Sequence, residues 1–308
     1  MGTIGAMELK QKPKRNLIFT MTYHGEVSIP IADFLKQESP ISGRSLRQYF
    51  FKGLVLLNHK KAHSQANLKD GDLIQVYGVP EEYQPLKPEP SISFDIVYED
   101  DNLLVINKPP QLAVHPSGNI TSGTLANGVA AYFEKRGLKI KVRPVNRLDY
   151  GTSGLIIFAK NAAAQTALTQ AIQNHCVKRI YYAVVQGIPE TPSGTIDLPI
   201  VGSPGHRQVG NSGQPALTHY QVIERYPAAA LLELDIETGR THQIRIHLSH
   251  IGHPILGDRQ YGVSSPLIDR PALHAGKLTF DASGWDIPEL EAPFPEDYRR
   301  LLEKMRVK

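Results

Sequence analysis

The sequence predicts an α+β protein: a mixed, mainly antiparallel sheet domain preceded by a small α/β unit. Three observations predict it. Strand candidates outnumber helix candidates, and many are joined by short turns, which argues against a doubly wound parallel sheet. In the larger part of the chain, helical character is confined to residues 124–137 and 162–175. Pro80, Pro85, Pro88 and Pro90 cluster and divide the chain, because a stretch so poor in ladder donors stays extended. The expected organisation is a basic tail at 1–15, a small domain at 16–79, a linker at 80–91 and a large domain at 92–308.

In chain order, IADFLKQ reads as a helix, with Ile31, Phe34 and Leu35 at helical spacing. SGRSLRQYFFKG opens on the cap candidate Ser42 and stops at Gly53, so it reads as a second helix. LVLLN and LIQVYG read as strands on either side of a turn-rich loop. After the prolines, FDIVYEDDNLLVINKP is two strands around an Asp-Asp-Asn turn. Further strands are expected at 155–159, 181–187, 217–226, 230–238 and 242–248. In the last of these, strand alternation would put Gln243, Arg245 and His247 on one face and Ile244 and Ile246 on the other.

Composition narrows the function. The 308 residues are 41% hydrophobic and 21% charged, ordinary globular usage that excludes fibrous and disordered classes for the bulk of the chain. One cysteine, Cys176, excludes an internal disulfide framework and a cysteine zinc cage. No apolar run approaches the ~18 residues of a membrane span. The first residues lack the apolar core of a secretory signal. The expectation is a cytoplasmic monomer without a membrane partner. His242, His247, His250 and His253 invite a zinc reading. On a strand, however, His242 and His247 diverge, and no metal site is expected.

The net charge of +4 is a mild bias, but Arg44, Arg47, Lys52, Lys60 and Lys61 fall between residues 41 and 63 without an acid among them. Arg44 and Arg47 share a helix face, where cations neutralise phosphates. GRSLRQYFFKGLVLLN followed by KDGDLIQV resembles an S4-type RNA-binding domain. That resemblance implies RNA contact through Arg44, Arg47 and Lys52.

Three segments of the large domain hold the candidate chemistry: NKPPQLAVHPSG, NRLDYGTSGLIIFAKN and GRTHQIRIHLSHIGHPILGDRQYG. Asp149 sits in the second, just before an apolar strand. Taken alone it reads as a turn former. Together, in this order, and with RIYYA at 179–183 and LHAGKLTF at 273–280, the segments resemble the RluA-type pseudouridine synthases over residues 92–284. The resemblance implies an isomerase without a cofactor that detaches uracil from its ribose, turns it and rejoins it through C5. Asp149 would be the indispensable carboxylate, acting as a covalent nucleophile or as a ribose base. Arg245 would aim it, and Tyr181 would stack on or hydrogen-bond the base. Arg147 would fill the stack vacated by the flipped nucleotide, and Leu278 would line the uracil pocket. Arg240 and Lys108 would serve backbone phosphates or structural pairing. Asn146, Gly151 and Gln111 depart from the family pattern, and the first two lie beside the catalytic loop, where they bear on RNA contact rather than on the chemistry. The expected partner is ribosomal RNA, most naturally of the large subunit, with transfer RNA as the other class. Two other readings compete. One is a non-catalytic RNA-binding assembly protein. The other is a glycosidase or nuclease, which would need a second carboxylate, for which Asp258 is the candidate.

Overall fold

The computed structural model describes residues 16–78 and 86–306, apart from 26, 40, 42, 119, 204 and 282–283. The basic tail, the cap candidate Ser42 and the start of the proline-rich stretch lie outside these residues. So does the side chain of Arg44. The chain divides into two compact units, 1–84 and 85–308.

The first unit contains β1 (Asn16–Thr22), α1 (Ile31–Glu38), α2 (Gly43–Phe51), β2 (Val55–Leu57), β3 (Lys60–Lys61) and β4 (Leu73–Gly78). Its antiparallel sheet runs β1-β4-β2-β3. Ile31, Phe34 and Leu35 of α1, at helical spacing, meet Ile74 and Val76 of β4, at strand spacing. Arg47 and Lys52 stay exposed on and just after α2.

The second unit is built on one ten-stranded sheet. Its elements are β5 (Asp95–Glu99), β6 (Leu103–Lys108), α3 (Leu125–Lys135), β7 (Arg143–Pro144), β8 (Ser153–Ala159), α4 (Ala162–Gln173), β9 (Lys178–Gln186), β10 (Ser193–Asp197), β11 (Ile200–Ser203), β12 (His206–Val209), β13 (Leu217–Tyr226), β14 (Ala229–Ile236), α5 (Gln243–His250), β15 (Leu273–Thr279), β16 (Leu290–Glu291) and α6 (Glu296–Arg306). The strand order is β10-β13-β14-β9-β15-β8-β6-β5, with β16 beside β15 and β7 beside β8. Every pairing in it is antiparallel except β15 with β8. β11 and β12 form a separate hairpin.

Helices cover both faces of this sheet, and β8 is accordingly buried along its whole length. In β6 and β8, Leu104, Ile106, Ile156 and Phe158 enter one core with residues of α3, α5 and α6. Leu103, Val105, Leu155 and Ile157 enter the other, with Ala164 and Leu168 of α4. The end of the proline-rich stretch is tied to α3, where Asn127 donates to the Lys87 carbonyl at 2.9 Å.

The expected strand at 242–248 is a helix, α5. Its polar residues do not share an outward face. Gln243, Arg245 and His247 are buried alongside Ile244, Ile246 and Leu248. Each finds a partner inside the fold: Gln243 at Thr238 and the Leu217 carbonyl, Arg245 at Asp258, and His247 at Thr218 and the Leu198 carbonyl. The polar–apolar alternation therefore reflects burial on every side rather than a strand.

Candidate active site

Residues 143–146 run antiparallel along β8, and the chain reverses at a turn closed by Thr152 N–H donating to the Asp149 carbonyl at 3.1 Å. Asn146 stabilises this arm by accepting from the Ile157 N–H at 2.8 Å. Arg147 and Asp149 therefore stand on the loop that feeds the most buried strand of the sheet. Gly154 lies just beyond, at φ +106°, where a Cβ would meet the Ala275 carbonyl oxygen at 2.1 Å. Only glycine lets β8 and β15 approach there.

Two buried cations hold the same loop. Lys108, at the end of β6, is fully buried, and its Nζ donates to the carbonyls of Pro109 at 2.8 Å, Leu112 at 2.9 Å and Tyr150 at 3.4 Å. Burial, with the charge of Arg270 nearby, pushes its ammonium down to about 7, against the pull of Asp149. Arg270 donates to the Gly151 carbonyl at 3.0 Å and is paired through two bonds with Asp297 of α6. Lys108 is thus a loop staple. Of the two roles expected for it, burial leaves structural pairing rather than phosphate contact.

Asp149 Oδ2 accepts from Arg245 Nη1 at 3.3 Å, and His242 Nε2 stands 3.9 Å from the same oxygen. Asp149 Oδ1 has no donor among the described residues. Arg245 is itself fixed by two bonds to buried Asp258, at 2.7 and 2.8 Å, and lies over the Tyr261 ring at 5.0 Å. Burial opposes both charges of this pair. Their mutual bonds outweigh it, holding the guanidinium up and the Asp258 carboxyl below its usual range. Asp258 also accepts from the N–H groups of Gln260 and Tyr261. Its oxygens are committed, so it is no second acid for a glycosidase.

The carboxylate lines a cavity of about 580 Å³ together with Tyr181, Arg147, Arg179, Arg240, His242 and Leu273. Tyr181 is 6% exposed, and burial raises its hydroxyl above the ordinary range. That hydroxyl has no hydrogen-bond partner among the described residues. Arg147 is exposed and makes no hydrogen bond to a described residue. Arg240 Nε donates to the Pro215 carbonyl at 2.9 Å, which leaves its other nitrogens at the rim. Four of the seven large-domain candidates, Asp149, Arg245, Tyr181 and Arg147, therefore share one wall system, and Arg240 joins them.

Leu278 does not. It lies in the other core, with Val105, Leu155 and Phe280. A register shift between Ala275 and Lys277 accompanies this, and Leu273 is the β15 residue that reaches the cavity. Sequence reasoning also missed two residues. His242 was weighed only as a metal ligand. It takes a left-handed conformation (φ 60°, ψ 20°) at the start of α5, meets the Tyr261 hydroxyl at 3.0 Å and is held toward its neutral form by burial. Arg179 is buried and donates to the Ile236 and Glu237 carbonyls, forming the wall beside Tyr181. The one signal for it was its place in RIYYA.

A sheet covered by helices on both faces, with an arginine-held carboxylate in a concave, cation-rimmed pocket, fits an enzyme that acts on an anionic substrate. The comparisons give its family. Residues 102–250 match the family described as RNA pseudouridylate synthase. The chain is 38% identical over 273 residues to the uncharacterized RNA pseudouridine synthase YhcT of Bacillus subtilis, covering 87% of this chain and 89% of that protein. It is 37% identical over 281 residues to the ribosomal large subunit pseudouridine synthase D of Escherichia coli, covering 85% of each. The human RNA pseudouridylate synthase domain containing 4 superimposes with a TM-score of 0.58 at 26% identity, over 68% of this chain and 92% of that one. The chain belongs to the RluA-type RNA pseudouridine synthases. Among the described residues no helix is long and apolar enough to cross a membrane.

Proposed function

We propose that the protein isomerises a uridine of ribosomal RNA, most naturally in the large subunit, using Asp149 as its catalytic group and no cofactor. The observation that carries this reading is the Asp149 carboxylate in the cavity, held through one oxygen by Arg245 and open at the other. Breaking a glycosidic bond without hydrolysis requires a carboxylate near C1′ or C2′ and a site that excludes water. The open Oδ1 serves either route, attack at C1′ or removal of the C2′ proton. In both, the N1–C1′ bond breaks, the uracil turns within the pocket and C5 bonds to C1′. The C5 proton is then lost while N1 takes one up, and in the second route the C2′ proton is returned, so the sum is an isomerisation.

Arg245 acts by aiming. Its Nε and one Nη are spent on Asp258, so only Nη1 reaches Asp149. Tyr181 forms an aromatic wall against the base. A stacked uridine is out of reach of this pocket, so the nucleotide flips out at a cost of roughly a few kcal/mol. Exposed Arg147 is placed to fill the gap it leaves. The first unit, with Arg44, Arg47 and Lys52, serves as an S4-like handle on the RNA backbone, and the enzyme works in the cytoplasm.

The experiment is tritium release from RNA labelled at uridine C5, with ribosomal and transfer RNA transcripts offered separately to wild type and Asp149→Asn. Release from ribosomal RNA by the wild type alone is expected. Near-wild-type turnover by Asp149→Asn would refute the role of this carboxylate. Release from transfer RNA alone would refute the substrate.

A further inference from the structure

A second hollow, of about 610 Å³, shares Arg147 and Arg240 with the Asp149 cavity. Its walls are the hairpin β11–β12, the turn at 212–214 and the 239–241 loop that leads into α5. Arg147, Arg207 and Arg240 line it, and no carboxylate does. Two buried arginines of this chain are neutralised by carboxylates, Arg245 by Asp258 and Arg270 by Asp297, while buried Arg179 is spent on the Ile236 and Glu237 carbonyls. Among the described residues, Arg147, Arg207 and Arg240 have no ion-pair partner. Three uncompensated like charges around one hollow repel each other and lower the local cost of binding an anion.

Arg207 is built into this wall. Burial alternates along β12, and Arg207 shares the inner face with Val209. Val209, like Tyr261, packs against the small core of Ile200, Ala216 and Ile246. The Arg207 Nε is buried and has no hydrogen-bond partner among the described residues. Arg240 is anchored at its Nε by the Pro215 carbonyl, so its terminal nitrogens are available. The hairpin is also joined to the catalytic group. Gln260 Nε2 donates to the Gly205 carbonyl at the hairpin turn at 3.3 Å, and Gln260 Oε1 accepts from Arg245 Nη2 at 3.4 Å.

We infer that this hollow is a phosphodiester subsite, in which Arg207 and Arg240 hold the backbone of the RNA strand beside the flipped nucleotide. Arg147 marks its border with the catalytic pocket. Gln260 keeps the hairpin in register with Arg245, so that a strand seated in the hollow presents its uridine to Asp149. The inference rests on the reading of Asp149 as the catalytic carboxylate.

The test uses the full chain. RNA affinity is measured across a range of KCl concentrations for Asp149→Asn and for the double variant Asp149→Asn/Arg207→Ala. Loss of one phosphate contact flattens the slope of log K against log salt by about 0.7 to 0.9. An affinity loss of about five- to tenfold at low salt is expected with it, restored largely by Arg207→Lys. In turnover assays of the single variant Arg207→Ala, KM for RNA is expected to rise by a similar factor. An unchanged salt slope and KM in a chain whose wild type isomerises RNA would overturn the subsite. A fall in kcat with KM unmoved would overturn it as well, leaving Arg207 a scaffold residue. No isomerisation by the wild type would instead overturn the reading of Asp149.

Discussion

Replacing Lys108 with methionine tests the loop staple directly. In the wild type the ammonium is held at about 7 by burial, against an ordinary value of 10.5. Between those values the unfolded chain binds more protons than the folded one, so folding stability rises with pH. The slope from this group approaches 1.4 kcal/mol per pH unit, or about 2–3 kcal/mol between pH 7 and 9. The variant has no group to titrate there and lacks that rise. It also leaves the Pro109 and Leu112 carbonyls without their buried donor, at about 1–3 kcal/mol each. Near pH 6.5 this loss is offset by removal of a desolvated charge, so the two proteins should differ little. At pH 9 the wild-type amine is neutral, keeps two N–H donors for its two shortest bonds, and the variant should be clearly less stable. Urea unfolding followed by the fluorescence of Trp285, the single tryptophan, reads the correct unit, since its ring packs against the core of β6 and β8. A stability difference that stays flat from pH 6.5 to 9 would refute the reasoning.

Three further outcomes are expected. Gly154→Ala places a Cβ 2.1 Å from the Ala275 carbonyl oxygen. It should cost about 3 kcal/mol and lower Tm by roughly 10 °C, and an unchanged melting curve would contradict the close approach. Asp258→Asn removes the charge that fixes Arg245 and should cost about 3 kcal/mol, with kcat reduced at least tenfold and RNA affinity retained. Because the Asp258 carboxyl is held below its ordinary value of 3.8, the stability it contributes is present above that value and lost as pH falls through the lower folded value. Acid titration of unfolding in the variant should show a correspondingly shallower loss. Combined Arg47→Ala and Lys52→Ala should flatten the salt dependence of RNA binding by roughly 0.7 to 0.9 per phosphate contact removed, and an unaltered slope would remove the first unit from the RNA interface.

The parts of the fold legible in the sequence are those where one periodicity dominates. β13 (217–226) and β4 (73–78) fall where alternation placed them, and α3 and α4 where apolar residues recur at helical spacing. β10, β11 and β12 carry four or five residues each, too few to establish a period, and the expectations passed over them. α5 fails for a different reason. QIRIHL alternates polar with apolar as a half-exposed strand would, yet six residues in a row, from Gln243 to Leu248, are buried. Periodicity reports which side faces water, and over residues 243–248 no side does. What stabilises its polar residues is long-range, from Thr218 in β13 to Asp258 beyond the helix, and no local window contains it.

The same distinction explains which site residues were readable. Asp149, Arg245 and Tyr181 were identified by their motifs, and geometry assigns them one cavity. Motif membership did not separate a residue that meets the substrate from one that supports it. Lys108 and Arg147 are both cations near the loop, but Lys108 is fully buried with three carbonyl acceptors, whereas Arg147 is exposed with none. A buried ammonium beside Asp149 could have quenched the carboxylate. Its donors are instead taken up by backbone, as those of Arg270 are taken up by the Gly151 carbonyl and Asp297. The fold thereby places two cationic side chains under the Asp149 loop, while among the described residues Arg245 alone donates to the carboxylate, leaving one oxygen open for the ribose.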